Sequence, residues 1–146
     1  MSGSLFAKYG LFNVHVDYSE VRDWTIAKSN KLYSAIEKAE RKALAKSAYR
    51  IFRDAQQSIK RSSEPSQPGM PPHTRRGLLR KAIRYRIDYT VPFAVIGPVG
   101  SAVGPIGELH EFGGRRGKAT FPARPFMGPA LIRETPRFTG EFVGSI

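Results

Sequence analysis

Ile83-Arg-Tyr-Arg-Ile-Asp-Tyr-Thr90 alternates without a break, setting Ile83, Tyr85, Ile87 and Tyr89 against Arg84, Arg86, Asp88 and Thr90. A period of two places one set on each face of a half-buried strand. Just before it, residues 75–82 read as a short helical turn with Leu78 and Leu79 as its buried contacts. Just after it, Pro92 forces a break or an edge position, residues 93–96 form a second short strand, and Gly97-Pro98 ends that strand. Upstream the period is that of a helix. The switch from a helical to a strand period within one short chain predicts an α+β fold: one long helix and short helices packed on a small, mainly antiparallel sheet.

Residues 11–17 alternate as well, with Phe12, Val14 and Val16 on one face and Asn13, His15 and Asp17 on the other, which predicts a first strand. Ser19 then offers an N-cap and Glu20 and Asp23 favour a helix start, after which no Gly or Pro occurs until past Arg61. This predicts a helical region over residues 19–61. Within it Tyr33, Ile36, Ala43, Leu44, Ser47, Ile51, Ala55 and Ile59 recur at helical steps and define one packing stripe. The opposite side carries Lys31, Lys38, Arg41, Lys42, Lys46, Arg53 and Lys60. Trp24 and Ile26 align less well with the stripe, which leaves room for a break near Asn30.

Residues 62–74, SSEPSQPGMPPHT, contain four prolines and a glycine. Each proline removes a backbone donor and fixes its own φ, so the stretch is a loop or an arm rather than a regular element. Connections of this length are commonly disordered or ordered by a partner, and an arm ordered by a partner is the expectation here. Farther on, residues 99–107 are glycine-rich and lead into a short helix over residues 106–112 that Gly113-Gly114 closes. Residues 115–120 are polar and basic, as in an exposed loop tip. Pro129 suits the first turn of a helix that ends before Pro136, and residues 138–146 alternate weakly, as in a last strand. There is no internal repeat.

A chain of 146 residues, 40% of them apolar, fits a single domain over residues 1–146, and 14 glycines with 11 prolines imply shaped loops between few regular elements. The absence of cysteine excludes a disulfide framework, a thiolate metal site and a cysteine nucleophile. The N-terminus lacks the apolar run of a secretory signal, and no segment approaches the roughly 20 apolar residues of a membrane span, so synthesis and folding in the cytoplasm without a membrane partner are expected. The net charge is +12. Between Arg22 and Arg86 there are 17 Lys or Arg against 5 Asp or Glu, which accounts for the whole excess; the rest of the chain is balanced, 7 against 7. A basic half of this kind points to nucleic acid, a membrane surface or an acidic protein through long-range attraction. A merely solvated helix face is the plain alternative.

The residue types that carry chemistry form no set. His15, His73 and His110 are scattered, and Gly113 and Gly114 stand where a second histidine would follow His110-Glu111 in a zinc-protease helix. Glu108 and Glu111 lie three apart and read as helix-surface groups pairing with Arg115, Arg116 or a neighbouring subunit rather than as an acid/base pair. The glycine-rich stretch contains no phosphate-loop pattern, and no nucleophile has its base. No catalytic, cofactor or metal residue is assigned. Tyr85 and Tyr89 are stacking aromatics on one reading and cross-strand packing on the other.

Three segments in order resemble those of small tailed-bacteriophage virion proteins of the tail-completion, neck and minor tail group. The proline-rich arm runs into Thr74-Arg-Arg-Gly77-Leu78-Leu-Arg80-Lys-Ala-Ile83, similar to that family's Thr-Gly-x-Leu-Arg-x-Ser-Ile. Leu109-His-Glu111-Phe112-Gly113-Gly114 follows Ile96-Gly97-Pro98 and is like its Glu-Phe-Gly turn. Ala123-Arg-Pro125-Phe126-Met-Gly-Pro129-Ala130-Leu131 is like its Arg-Pro-Phe-x-x-Pro-Ala-Leu. Departures are an extra Arg in the first segment, Ala82 in place of Ser, and a tail broken at Pro136 where many relatives continue as a helix.

The resemblance implies a structural, non-enzymatic virion protein whose copies form a ring of six in the neck, completing the tail and joining it to the head. Neighbouring connector and tail-tube proteins would be its partners, with packaged DNA in the lumen. A tail terminator or other minor tail protein is the nearest alternative, and a basic nucleic-acid-binding protein the alternative from a different class. Subunit contacts are expected at Pro68, Pro71 and Pro72, at Glu111, Phe112 and Gly113, and at Arg124, Pro125 and Phe126, chiefly through the loops around the two aromatics. Arg75, Arg76, Arg80, Lys81 and Arg84 are expected to face DNA or an acidic partner.

Overall fold

The computed structural model describes residues 12–15 and 30–144 and has the α+β fold. Strand β1 (Phe12–His15) lies inside the predicted first strand; the facing of its side chains and the Ser19 cap lie outside the described residues. Helix α1 (Asn30–Ser58) then runs with no Gly or Pro, about 43 Å at 1.5 Å per residue. Ile36, Ala43, Leu44, Ser47, Ile51 and Ala55 are buried along it as the stripe requires, Ile59 is buried just beyond its end, and Tyr33 is half-buried. The helix stops three residues before Arg61. Ser58 Oγ donates back to the Ala55 carbonyl, and Lys60–Arg61 leaves as strand β2, pairing in parallel with β3 (His73–Thr74).

That pairing corrects the expectation for the arm. Clamped between β2 and β3, residues 62–72 fold back on their own chain: Pro72 is one of the largest fully buried side chains, and Ser66 is buried. The Ser62 amide donates to the Thr74 carbonyl at 3.3 Å. Helix α2 (Leu78–Ala82) follows, with Leu79 buried but Leu78 exposed, because a single turn can show only one row to the core and Leu79 shares that row with Ile83.

Strand β4 (Ile83–Asp88) pairs antiparallel with β5 (Phe93–Pro98) in the register Ile83↔Pro98 to Asp88↔Phe93, and β1 pairs antiparallel with the other side of β5. The sheet order is therefore β1-β5-β4, with β5 central and residues 94–98 all buried. Tyr89 and Thr90 fall in the turn, not the strand, since the Asp88 carboxylate accepts bonds from the Thr90 amide (2.8 Å) and hydroxyl (2.5 Å). These bonds, the hydroxyl's first, hold the Asp88 pKa below its usual value. Helix α3 (Gly104–Phe112) starts two residues earlier than expected, with Pro105 in its first turn. Residues 115–120, expected as a plain loop tip, belong to a hairpin of β6 (Gly114–Arg116) and β7 (Ala119–Phe121). Its two-residue turn, Gly117-Lys118, puts the glycine at φ 62, as a type II′ connection demands.

Helix α4 (Met127–Val143) departs most from expectation: it passes through Pro136, and residues 138–143 are helical rather than a strand. An interior proline costs a helix on the order of 3 kcal/mol. The second half is nonetheless anchored on α1. Phe142 is buried with Ile36, Ala39 and Ala43, Phe138 packs against the same cluster, and Glu141 takes Lys46 Nζ at 2.6 Å and Arg50 at 2.7 Å. The expectation failed because tertiary packing outweighs the local penalty. A larger cluster joins α1 (Leu44, Ala48, Ile51, Ala55) and Ile59 to Leu79, Ile83, Ala94, Ile96, Phe126, Met127 and Ala130, so one helix seals both the sheet and α4.

Candidate functional site

The two best-defined motifs of the sequence meet in space. Phe126, Met127 and Gly128 begin α4 without a Ser, Thr or Asp to cap it. Glu111, buried at the end of α3, supplies the acceptor from a distance: its carboxylate takes the amides of Phe126 (2.8 Å), Met127 (2.9 Å) and Gly128 (2.8 Å). A carboxylate at a helix N-terminus satisfies orphan donors and opposes the positive end of the helix dipole. Next to it Gly113 turns the chain at φ 71, where a Cβ would stand 2.8 Å from the Ala123 nitrogen. Only glycine fits that approach.

The proline-rich segment joins the same knot. The Gly69 amide donates to the Ala123 carbonyl (2.8 Å), Arg124 Nε to the Ser66 carbonyl (2.9 Å), and the Arg124 amide to the His110 carbonyl (2.5 Å). His110 is half-buried beside Arg124, so burial first and the guanidinium charge second push its pKa below the usual imidazole value. Its Nδ1 and the Ser66 hydroxyl are buried and lack hydrogen-bond partners among the described residues.

This geometry re-sorts the residues expected at subunit contacts. Phe126, 1% exposed, and Pro72 are core side chains, and Glu111 is an internal cap; none of the three presents to a neighbour. Nor does Glu111 pair at the surface with Arg115 or Arg116. Pro71, Gly113, Arg124 and Pro125 are half-buried within the knot. Pro68 and Phe112 remain on the surface, and Phe112 is 62% exposed. Beside Phe112 springs the hairpin, whose residues 114–120 are all exposed. The ribbon pairs with no other strand among the described residues, which leaves it as an exposed arm rooted at Gly113. Sequence reading missed it, although the Gly117-Lys118 turn between Arg116 and Ala119 was its available signal.

The expected basic residues are all exposed, but they do not form one free cluster. Arg75 and Arg61 are woven into the β2–β3 clamp, through Arg75 Nε to the Ser63 carbonyl and Arg61 Nε to the Arg75 carbonyl. Arg84 folds onto the carbonyls of Lys81 and Ile83 at the start of β4. Arg76, Arg80 and Lys81 lie around α2, with the Arg80 carbonyl held by Gln56. Arg84 and Arg86 also load positive charge onto β4, which has one strand neighbour in the described sheet; like charges discourage two such edges from pairing.

Along the seam between α1 and α4, acids of each helix engage cations of the other. Buried Glu134 accepts from Ser47 (2.9 Å) and Arg50 (3.3 Å), and Arg133 pairs with Asp54 at 2.8 Å. The bonds of Lys46 and then Arg50 pull the Glu141 pKa down to about 2, while Glu141 and Glu134 in turn raise that of Arg50. On the other flank of α1 the tyrosines are surface groups rather than core. Tyr49 and Tyr85 meet edge to face, Phe52 lies 5.1 Å from Tyr85 between ring centroids, and Arg41 sits over Tyr89.

Among the described residues no group of three or more His, Asp or Glu could hold a metal, and no helix is long and apolar enough to cross a membrane. Two depressions lie along the seam of α1 and α4, one bordered by Lys42, Lys46, Arg50, Arg137 and Glu141, the other by Arg50, Asp54, Arg133 and Glu134. Compared with known protein families, curated proteins and solved structures, the chain matches none.

Proposed function

We propose that this chain is a structural virion protein of a tailed bacteriophage, a non-enzymatic component whose copies form a ring in the neck, complete the tail and join it to the head. The observation that carries the reading is the knot. Two of the three segments picked out by their likeness to neck proteins, around Glu111 and around Phe126, are tied together by Glu111 and Gly113, and Arg124 joins them to the proline-rich stretch that leads into the third, so these motifs make structural sense as one unit.

The arm is the hairpin of β6 and β7, with exposed Phe112 at its root. A rigid root and an exposed ribbon suit a heterologous contact, in which one surface of each copy reaches a different surface of the next and the rotation closes a ring. Purified full-length chain should form closed rings, six copies in the working version, by multi-angle light scattering and negative-stain microscopy. Deleting residues 115–120 across the hairpin should leave a folded single chain. A wild-type protein that stays single at high concentration would defeat the proposal, and one that also binds DNA would favour the basic nucleic-acid-binding alternative.

A further inference from the structure

The solvent side of α1 carries Lys38, Arg41, Lys42, Lys46 and Arg53, all exposed. Lys31 extends the row at one end and Lys60 stands just past the other. Of the acids of α1, Glu40 is buried and Asp54 is bound to Arg133, while exposed Glu37 stands one turn before Arg41, at the flank of the row and about 100° around the helix from Lys38. An ordinary solvated helix mixes signs along such a face, because like charges at i,i+4 repel. Lys38 and Lys42 are such a pair. Of the five cations, only Lys46 is paired with a carboxylate, through Glu141, among the described residues. Lys42 and Lys46 also border a shallow depression shared with Arg50 and Arg137.

The aromatic residues decide what kind of polyanion fits. A single-strand binder offers open ring faces for bases. Here Tyr49 meets Tyr85 at 72°, Phe52 packs on Tyr85, and the Tyr89 ring lies under Arg41 at 5.7 Å, so the rings are engaged with one another and with a cation. An acidic protein surface would call for an apolar centre to the contact. Between Lys38 and Arg53 this side offers half-buried Ala45 and the rim of Tyr49. A row of one sign, about 22 Å from Lys38 to Arg53 along the helix, instead matches a line of phosphates.

We infer that the solvent face of α1 binds the phosphate backbone of duplex nucleic acid, through Lys38, Arg41, Lys42, Lys46 and Arg53, without reading base sequence. This goes beyond the assembly reading and holds for the single chain. It also moves the nucleic-acid face from the residues around α2 to the middle of the long helix.

Fluorescence anisotropy of a labelled 25-base-pair duplex and of dT25, titrated with full-length protein from 50 to 200 mM KCl, tests it. Five phosphate contacts give a log–log slope of about −4.5, or roughly a 500-fold loss of affinity across that range. Lys38→Gln, Lys42→Gln and Arg53→Gln together, at exposed positions, should leave two contacts, a slope of about −1.8 and roughly a 12-fold loss. Removing the same charge from the hairpin, with Arg115→Gln, Arg116→Gln and Lys118→Gln, should leave the slope unchanged. Equal effects of the two triples, tighter binding of dT25 than of duplex, equal competition by poly-glutamate, or no duplex binding at 50 mM would each overturn the inference. Light scattering on the same samples reports assembly separately, so failure of the ring and failure of this face are distinguishable.

Discussion

Glu111 is the residue on which the fold account is most exposed to test. Its carboxylate is the acceptor for three consecutive backbone amides at the start of α4, two of them fully inside the protein. Glu111→Ala strands those donors. Each buried donor left without a partner costs about 1–3 kcal/mol, and partial relaxation or water entry at the half-open Gly128 amide returns some of it, so a net loss of about 3–5 kcal/mol is expected. For a chain of this size that corresponds to a fall in melting temperature on the order of 10 °C. Glu111→Gln keeps one carbonyl oxygen but loses the charge and turns an NH2 group toward N–H donors, so it should fall between, near 2 kcal/mol. Guanidinium unfolding followed by far-UV circular dichroism gives both numbers, and Glu108→Ala, on an exposed site of the same helix, should stay within about 0.5 kcal/mol of wild type. Hydrogen exchange adds a local readout: the amides of 126–128 should exchange faster in both Glu111 variants. Losses below 1 kcal/mol for both would refute the capping argument.

Other consequences follow from the same structure. Pro136→Ala should raise stability by about 1–3 kcal/mol in denaturant titrations, since α4 continues through this exposed position and gains a backbone donor. Gly113→Ala should cost at least about 1–2 kcal/mol from the left-handed backbone alone, with the contact to the Ala123 nitrogen adding to it. The Glu141 pKa is depressed to about 2, so its contribution is present above about pH 4.5 and is lost as pH falls toward 2; Glu141→Gln should flatten the melting-temperature profile in that window. The His110 pKa is also depressed, so the folded state prefers the neutral ring. Stability should drop as pH falls below 6.5, and His110→Gln should remove that part of the slope.

The features legible in the sequence were those that periodicity encodes. The stripe from Ile36 to Ile59 and the alternation from Ile83 to Asp88 appear where the spacing put them, because burial of one face is a local instruction repeated many times. What escaped depends on residues far apart in the chain. The end of α1 at Ser58 is set by a parallel pairing across the proline-rich segment, and the passage of α4 through Pro136 by Phe142 and Glu141 docking on α1. The role of Glu111 was hidden for the same reason: nothing local shows that a carboxylate at the end of one helix caps the next. On the candidate site, both the basic excess and its gathering opposite the packing stripe of α1 were legible from spacing, whereas the burial of Glu40 and the pairing of Asp54 with Arg133 depend on distant residues. Tyr49 went unremarked because one tyrosine among lysines has no periodic signature.

The claim at the centre of the account is that this chain works as a fixed part of an assembled particle. Labelling intact virions with an antibody against the exposed hairpin, imaged by electron microscopy, addresses it directly. Label confined to the junction between head and tail, on particles that retain the protein through purification, is the predicted result. Particles devoid of the chain, with all of it recovered free from infected cells, would contradict the account.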